Sequence, residues 1–148
     1  KILLTNEGYY INSYCLNNYS EIQYIIGSKT GSVFAGTGSV GEVDSENPTL
    51  ASFSSPKGIT TDGVNLFVAD TQNHLIRHIV ISTGEVRTLA GNRGLSADSR
   101  GTNWPSPQGY FAQFDEPIGI AASSYRLYVM DTGDGDGGNN QNCIRKIE

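Results

Sequence analysis

The residues best suited to chemistry lie in one short run, Asp131-Thr132-Gly133-Asp134-Gly135-Asp136-Gly137-Gly138-Asn139-Asn140. Acids and amides alternate here with glycines. Hard cations such as calcium take many oxygen ligands from a chain able to wrap around them. Asp131, Asp134, Asp136 and Asn139 are the candidate ligands, and calcium is the one candidate cofactor. The run departs from an EF-hand loop, because Gly138 stands where a ligand belongs and no Glu closes the site. A lengthened polar turn accounts for it more simply. His74 and His78 offer less. On a strand their spacing sets them about 13 Å apart on one face, too far to share an ion. Neither Cys15 nor Cys143 has an adjacent His or Lys to activate it. Asn18-Tyr19-Ser20 is an N-glycosylation acceptor in a secreted chain, whereas Pro48 excludes Asn47-Pro48-Thr49.

Other residues suit binding better than catalysis. Trp104, Tyr110 and Phe111 share one loop and are candidate partner anchors, since large aromatics dominate interface hot spots. They would serve equally to fill a gap in the core. Asp70-Thr71 and Asp131-Thr132 recur at matched positions. The expected role of these acids is to accept backbone N–H groups of the turn that follows. Arg77 and Arg145 also match, and each is expected to pair with an acid or a carbonyl. There is no nucleophile elbow, phosphate-cradling glycine loop or zinc spacing. The reading is non-enzymatic.

The elements that carry these residues are repeats. Phe53-Ser-Ser-Pro56-Lys-Gly58-Ile59 returns as Phe114-Asp-Glu-Pro117-Ile-Gly119-Ile120, and 114 − 53 = 61. Leu66-Phe-Val68-Ala-Asp70-Thr71 returns at the same offset as Leu127-Tyr-Val129-Met-Asp131-Thr132. Leu75-Ile76-Arg77 returns as Cys143-Ile144-Arg145, and 143 − 75 = 68, so the third copy carries seven extra residues. Val33-Phe34-Ala35-Gly36 pairs with Thr88-Leu89-Ala90-Gly91. Residues 1–36 hold a degraded copy with no F-x-x-P-x-G-I. The middle unit reads as strands 58–61, 65–70, 75–81 and 85–89, separated by turn residues. Leu66 and Val68 alternate with Phe67 and Ala69, so both faces of that strand are apolar. Four short antiparallel strands per unit, repeated and buried on both faces, describe propeller blades. The fold class is all-β, a β-propeller segment of about three blades.

Residues 53–79 read F-S-S-P-K-G-I-T-T-D-G-V-N-L-F-V-A-D-T-Q-N-H-L-I-R-H-I. This resembles the NHL repeat, whose pattern runs P-x-G-I-x-x-D and then N-L-Y-V-A-D-T-x-N-H-x-I-R. The resemblance covers 53–91, 114–132 and 142–147. It departs over 1–36, where Ser13 stands in place of the Asp. It implies a β-propeller, usually six-bladed, so that further chain or further copies complete the ring. The implied division is an incomplete first blade at 1–36, lacking all or part of its innermost strand. A blade follows at 37–91, then one at 92–148 without its last strand. The segment V-R-T-L-A-G at 86–91 resembles the long-spaced repeats of large secreted and multidomain proteins. An extracellular or secretory-lumen location follows from that resemblance. The isolated chain is not expected to be a stable monomer.

Composition narrows the partners. The chain has 148 residues with ten basic and fifteen acidic side chains, a net charge of −5. That disfavours nucleic acid, whose binding depends on Lys and Arg, and with it an RNA-binding NHL propeller. No apolar run approaches the roughly 20 residues of a membrane span, so no membrane insertion is expected. In a meander, alternate turns share a face. The long segments 36–52, 91–113 and 132–142 are expected together on one face. With residues 71–74 they hold six acids against two bases. An acidic loop face suits a basic protein partner or calcium. The alternative of a propeller enzyme, lyase or lactonase in type, needs a channel metal. The innermost strands, Gly58-Ile-Thr-Thr61 and Gly119-Ile-Ala-Ala122, carry no His, Asp or Glu to hold one. The expected role is protein–protein interaction or scaffolding in a larger assembly, with protein partners or further copies of the chain.

Overall fold

A computed structural model describes residues 2–6, 10–16, 22–26, 30–91, 114–123, 125–132 and 143–148. They form three antiparallel sheets in chain order. Sheet one is β1 (Ile2–Asn6), β2 (Tyr10–Leu16), β3 (Ile22–Ile26) and β4 (Thr30–Ala35). Sheet two is β5 (Gly58–Thr61), β6 (Asn65–Asp70), β7 (Leu75–Val80) and β8 (Val86–Gly91). Sheet three is β9 (Pro117–Ser123), β10 (Arg126–Asp131) and β11 (Cys143–Ile147). The chain is all-β, a propeller-type array of consecutive meanders.

Two expectations about strands are corrected. Sheet one has its innermost strand, since Ile2 to Asn6 pair in register with Tyr14 to Tyr10. The apolar run Ile2-Leu3-Leu4 forms a strand without the F-x-x-P-x-G-I signature, because pairing needs only an extended apolar segment. The last strand of sheet two runs to Gly91 rather than Leu89. A bulge makes this possible. Ile76 pairs Ala90 while Arg77 pairs Thr88, so Leu89 is the extra residue. The same shift recurs in sheet one, where Ile22 pairs Ala35 and Gln23 pairs Val33. Gly36 and Gly91 follow the two bulges at φ 114° and 106°. The repeated Ala-Gly marks this strand end.

Alternation along β6 and β7 gives sheet two two apolar faces. Leu66, Val68, Ile79 and Val86 on one face pack with Ile59, Phe53, Ala51 and the end of β4 at Ala35. Ala69, Ile76 and Ala90 on the other pack against Phe114 and Val129 of sheet three. Each F-x-x-P phenylalanine is thus wedged beside the preceding sheet. Gly58 shows why the motif needs glycine. A Cβ there would lie 2.7 Å from the Ile118 carbonyl oxygen and 3.3 Å from the Gly119 Cα, so adjacent innermost strands could not approach.

Candidate functional site

The repeated Asp and Arg meet inside the second and third units. Arg77, fully buried, donates from Nη1 to Asp70 Oδ2 at 2.9 Å and to the Ser52 carbonyl at 2.9 Å. Its Nη2 donates to the Val43 carbonyl at 2.9 Å and to Asp44 Oδ1 at 2.8 Å. The guanidinium carbon lies 4.9 Å from the Phe53 ring centroid, a cation–π contact. Asp70 Oδ1 accepts the Ser54 amide at 2.7 Å, and Oδ2 also accepts the Asn73 side-chain amide at 2.8 Å. Burial pushes the Asp70 carboxyl above its ordinary range, against the pull of Ser54, Asn73 and Arg77.

The second copy is built alike. Asp131 Oδ1 accepts the Asp115 amide at 2.7 Å, and Oδ2 accepts from Arg145 Nη1 at 3.1 Å. Arg145 lies 5.4 Å from the Phe114 ring centroid. The expected role of the repeated Asp therefore needs correction. Its carboxylate takes a backbone amide 16 residues upstream, in the F-x-x-P segment, and in Asp70 the following turn contributes the Asn73 side-chain amide instead of a backbone one. Sequence spacing signals a turn, but burial draws the carboxylate toward the segment that Arg and Phe also hold.

These contacts pin residues 36–53. Asn73 donates to the Gly41 carbonyl at 2.7 Å. Val43 donates to Ser52 Oγ at 3.0 Å, and Ser52 donates back to the Val43 carbonyl at 3.1 Å. Thr88 donates to Asp44 at 3.1 Å. Ser45 and Val86 exchange both backbone bonds, at 3.1 and 2.8 Å. Asn47 caps the short 3-10 turn Pro48–Leu50 through the Thr49 amide at 3.1 Å. With its backbone held this way, the segment turns Val40 (76% exposed), Val43 (53%) and Leu50 (60%) outward. Glu46 is exposed and pairs with Arg87 at 3.8 Å, and Asp44 pairs with Arg77 at 2.8 Å.

The same contacts overturn the placement of 36–52 on a single loop face. The segment runs from Asn73, in the turn between β6 and β7, to Gly84, in the turn between β7 and β8. A Cβ on Gly84 would meet Pro48 Cγ at 2.6 Å. Backbone pairing with Val86 draws it along the edge strand. The sequence reading counted the acids of this segment but missed its outward valines and leucine. Only the long-range pins decide which way those side chains face.

Of the other candidates, Asp131 belongs to the second clasp, with both carboxylate oxygens engaged. Asp134, Asp136 and Asn139 lie outside the described residues, as do Trp104, Tyr110, Phe111 and Asn18. Among the described residues no group of three or more His, Cys, Asp or Glu converges to hold a metal ion. His74 sits at φ 57°, and its Nδ1 accepts the Glu116 amide at 3.1 Å, tying sheet two to sheet three. Cys143 is a half-buried free thiol opposite Asp131 in the β10–β11 pair. An open cleft lies between sheets two and three at the turn after β5. Its charged groups are already engaged: Arg126 pairs with Glu148 at 3.1 Å, and Asp62 holds the amides of Val64 and Asn65. No described helix is long and apolar enough to cross a membrane.

No protein-family model matches the chain, and no curated protein matches it. Solved structures do. An auxiliary nutrient binding protein from Bacteroides thetaiotaomicron superposes with a TM-score of 0.63 at 22% identity, over 94% of this chain and 34% of that one. A protein of unknown function from the same organism gives 0.66 at 19%, over 93% and 31%. An auxiliary nutrient binding protein from Bacteroides ovatus gives 0.59 at 20%, over 94% and 35%. The chain thus spans about a third of the length of each. At these identities the likeness is one of fold, and together with the three meanders it establishes an all-β segment of β-propeller type.

Proposed function

We propose that the chain is a non-enzymatic NHL-type propeller module that binds a protein partner within a larger, extracellular assembly. One observation carries the reading: residues 40–50 are held rigid from beneath yet present apolar side chains outward. Three outward apolar side chains carried by one pinned segment offer a partner a shared apolar contact. Pre-organisation favours this use, because a partner pays little ordering entropy to bind a fixed backbone. The chain's net acidity favours a partner with apolar contacts and basic neighbours. The binding names of two structural neighbours point the same way. The Asp–Arg–Phe clasps give the NHL-like residues a scaffolding role.

The test is a photo-crosslinking residue at Val43, used in the source cells to identify the partner, followed by direct affinity measurement. Val43→Asp and Leu50→Asp should each weaken that complex by at least about tenfold, as expected for a central apolar contact. Unchanged affinity in both variants would place the partner elsewhere and overturn the assignment of this surface.

A further inference from the structure

The turn between β5 and β6 carries a reactive pair. Asp62-Gly63 is an exposed Asp-Gly step, and Gly63 adopts φ 94° with nothing near the place of a Cβ. Glycine takes that conformation without strain, so the turn keeps a glycine beside the acid. Such a step can cyclise, because glycine does not hinder its own nitrogen. The Gly63 nitrogen bonds to the Asp62 Cγ, and the amide proton leaves with a carboxyl OH as water, giving a succinimide. Water then adds to one of the two ring carbonyls. Opening at one restores Asp. Opening at the other runs the main chain through the side-chain methylene, as isoaspartate. Water is the sole co-reactant, no electrons change hands, and the net composition is unchanged.

The fold opposes each part of this step. The Gly63 N–H donates to Thr61 Oγ1 at 2.9 Å, which engages the nitrogen that must attack. Thr61 Oγ1 is itself fixed by donating to the Asn65 carbonyl at 2.6 Å. Asp62 Oδ1 accepts the Val64 and Asn65 amides at 2.9 and 2.7 Å, and Oδ2 accepts the Asn65 side-chain amide at 3.0 Å. Whichever oxygen leaves, a bond made in the fold must break. Loss of OH also needs the protonated carboxyl. Slight burial opposes ionisation, but the contacts from Asn65 and Val64 prevail and hold the carboxyl below its ordinary range. The reactive form is therefore scarce at neutral pH. The equivalent turn of sheet three reads Ala122-Ser123-Ser124-Tyr125-Arg126. There the Asp-Gly step, the threonine and the asparagine are absent together.

We propose that Asp62-Gly63 is a latent modification site, which forms isoaspartate when the turn opens and which Thr61 and Asn65 hold closed in the folded chain. The modification would release the amides of Val64 and Asn65 beside Thr60, whose Oγ1 accepts the Ala122 amide across the junction to sheet three. This inference is independent of the partner taken by residues 40–50. The test incubates the folded 148-residue chain and the same chain unfolded in guanidinium chloride, both at neutral pH. Isoaspartate at position 62 is followed by proteolysis and fragmentation mass spectrometry. The folded chain should form it at least about tenfold more slowly, because reaction proceeds through the locally opened turn. Asn65→Ala and Thr61→Val should each raise the folded-chain rate by about fivefold or more, the factor for one ordinary hydrogen bond. Each variant's own unfolded chain corrects for the change of sequence. Ile76→Val, a mild loss of core far along the sheet, should leave the rate at 62 almost unaltered. Equal rates in folded and unfolded chains would overturn the proposal, as would an unfolded chain that forms no isoaspartate at 62. So would an Ile76→Val rate raised as far as that of the turn variants, which would make global unfolding the gate.

Discussion

Asp70–Arg77 and Asp131–Arg145 are one contact at two depths. The first pair is fully buried, whereas the side chains of Arg145 and Asp131 remain 24% and 9% exposed. Breaking a buried ion pair strands a desolvated charge and costs about 3–5 kcal/mol. Losing a charged hydrogen bond nearer water costs about 1.5–3 kcal/mol. Urea unfolding should therefore show Asp70→Asn to be clearly more damaging than Asp131→Asn, and equal losses would contradict the burial difference. Strain is also stored at single residues. Ser55 and Glu116, each preceding a motif proline, both sit at φ 47°. A non-glycine residue is disfavoured at such a φ. Glu116→Gly should stabilise by up to about 1 kcal/mol, seen as a higher denaturant midpoint at unchanged slope. Asp62 supplies a pH signature. Slight burial opposes its ionisation, but the amides of Val64 and Asn65 and the Asn65 side chain hold its carboxyl below the ordinary value. A depressed carboxyl stabilises the fold above the unfolded value, about 3.9. That stabilisation is lost as pH falls through the folded value. Asp62→Ala should therefore flatten the fall of melting temperature below about pH 4 and leave its shape near neutrality unaltered.

At the scale of elements, glycine decides where strands end and how closely they meet. Gly91 follows the bulge of β8 at φ 106°, and a Cβ there would stand 2.4 Å from the His74 carbonyl oxygen. Gly58 would collide with the backbone of β9. Gly58→Ala and Gly91→Ala should each lower stability by about 1–3 kcal/mol through overpacking and strain. Measured losses below about 0.5 kcal/mol, the range of surface changes, would mean that the strands can shift apart cheaply. Much of this was legible beforehand. Strands β5 and β6 fall on the residues that turn chemistry and alternation mark, because the Thr61-Asp62-Gly63 turn and the apolar pattern are local signals. The bulge was not legible in its geometry, although the repeated Ala-Gly announced that something recurs there. The positive φ of Ser55 and Glu116 was invisible for a different reason. Neither residue type favours that conformation, and only the contacts around them impose it. The 40–50 surface escaped notice likewise. Its valines and leucine read as ordinary loop residues until Arg77, Asn73 and Val86 fix the backbone beneath them.

The whole molecule is held together by what its sheets share. In a repeat array each unit leans on its neighbours, so stability divides into unit and junction terms. Here the junction between sheets two and three is unusually well defined. It contains one apolar cluster, the bond from Thr71 to the Pro117 carbonyl, the bond from Ala122 to Thr60 Oγ1 and the contact of Glu116 with His74. Phe114 stands at its centre, 1% exposed, and belongs by sequence to sheet three while packing on Ala69, Ile76 and Ala90 of sheet two. Phe114→Ala removes a ring from this shared core and should cost about 3–5 kcal/mol. The distribution of the loss is more informative than its size. If the junction couples the sheets, amide exchange should accelerate together in β7 of sheet two and β10 of sheet three. Loss of protection confined to β9, β10 and β11 would instead mean that sheet two draws its stability from the Phe53 side alone. In that case the propeller units are neighbours in space without being partners in folding.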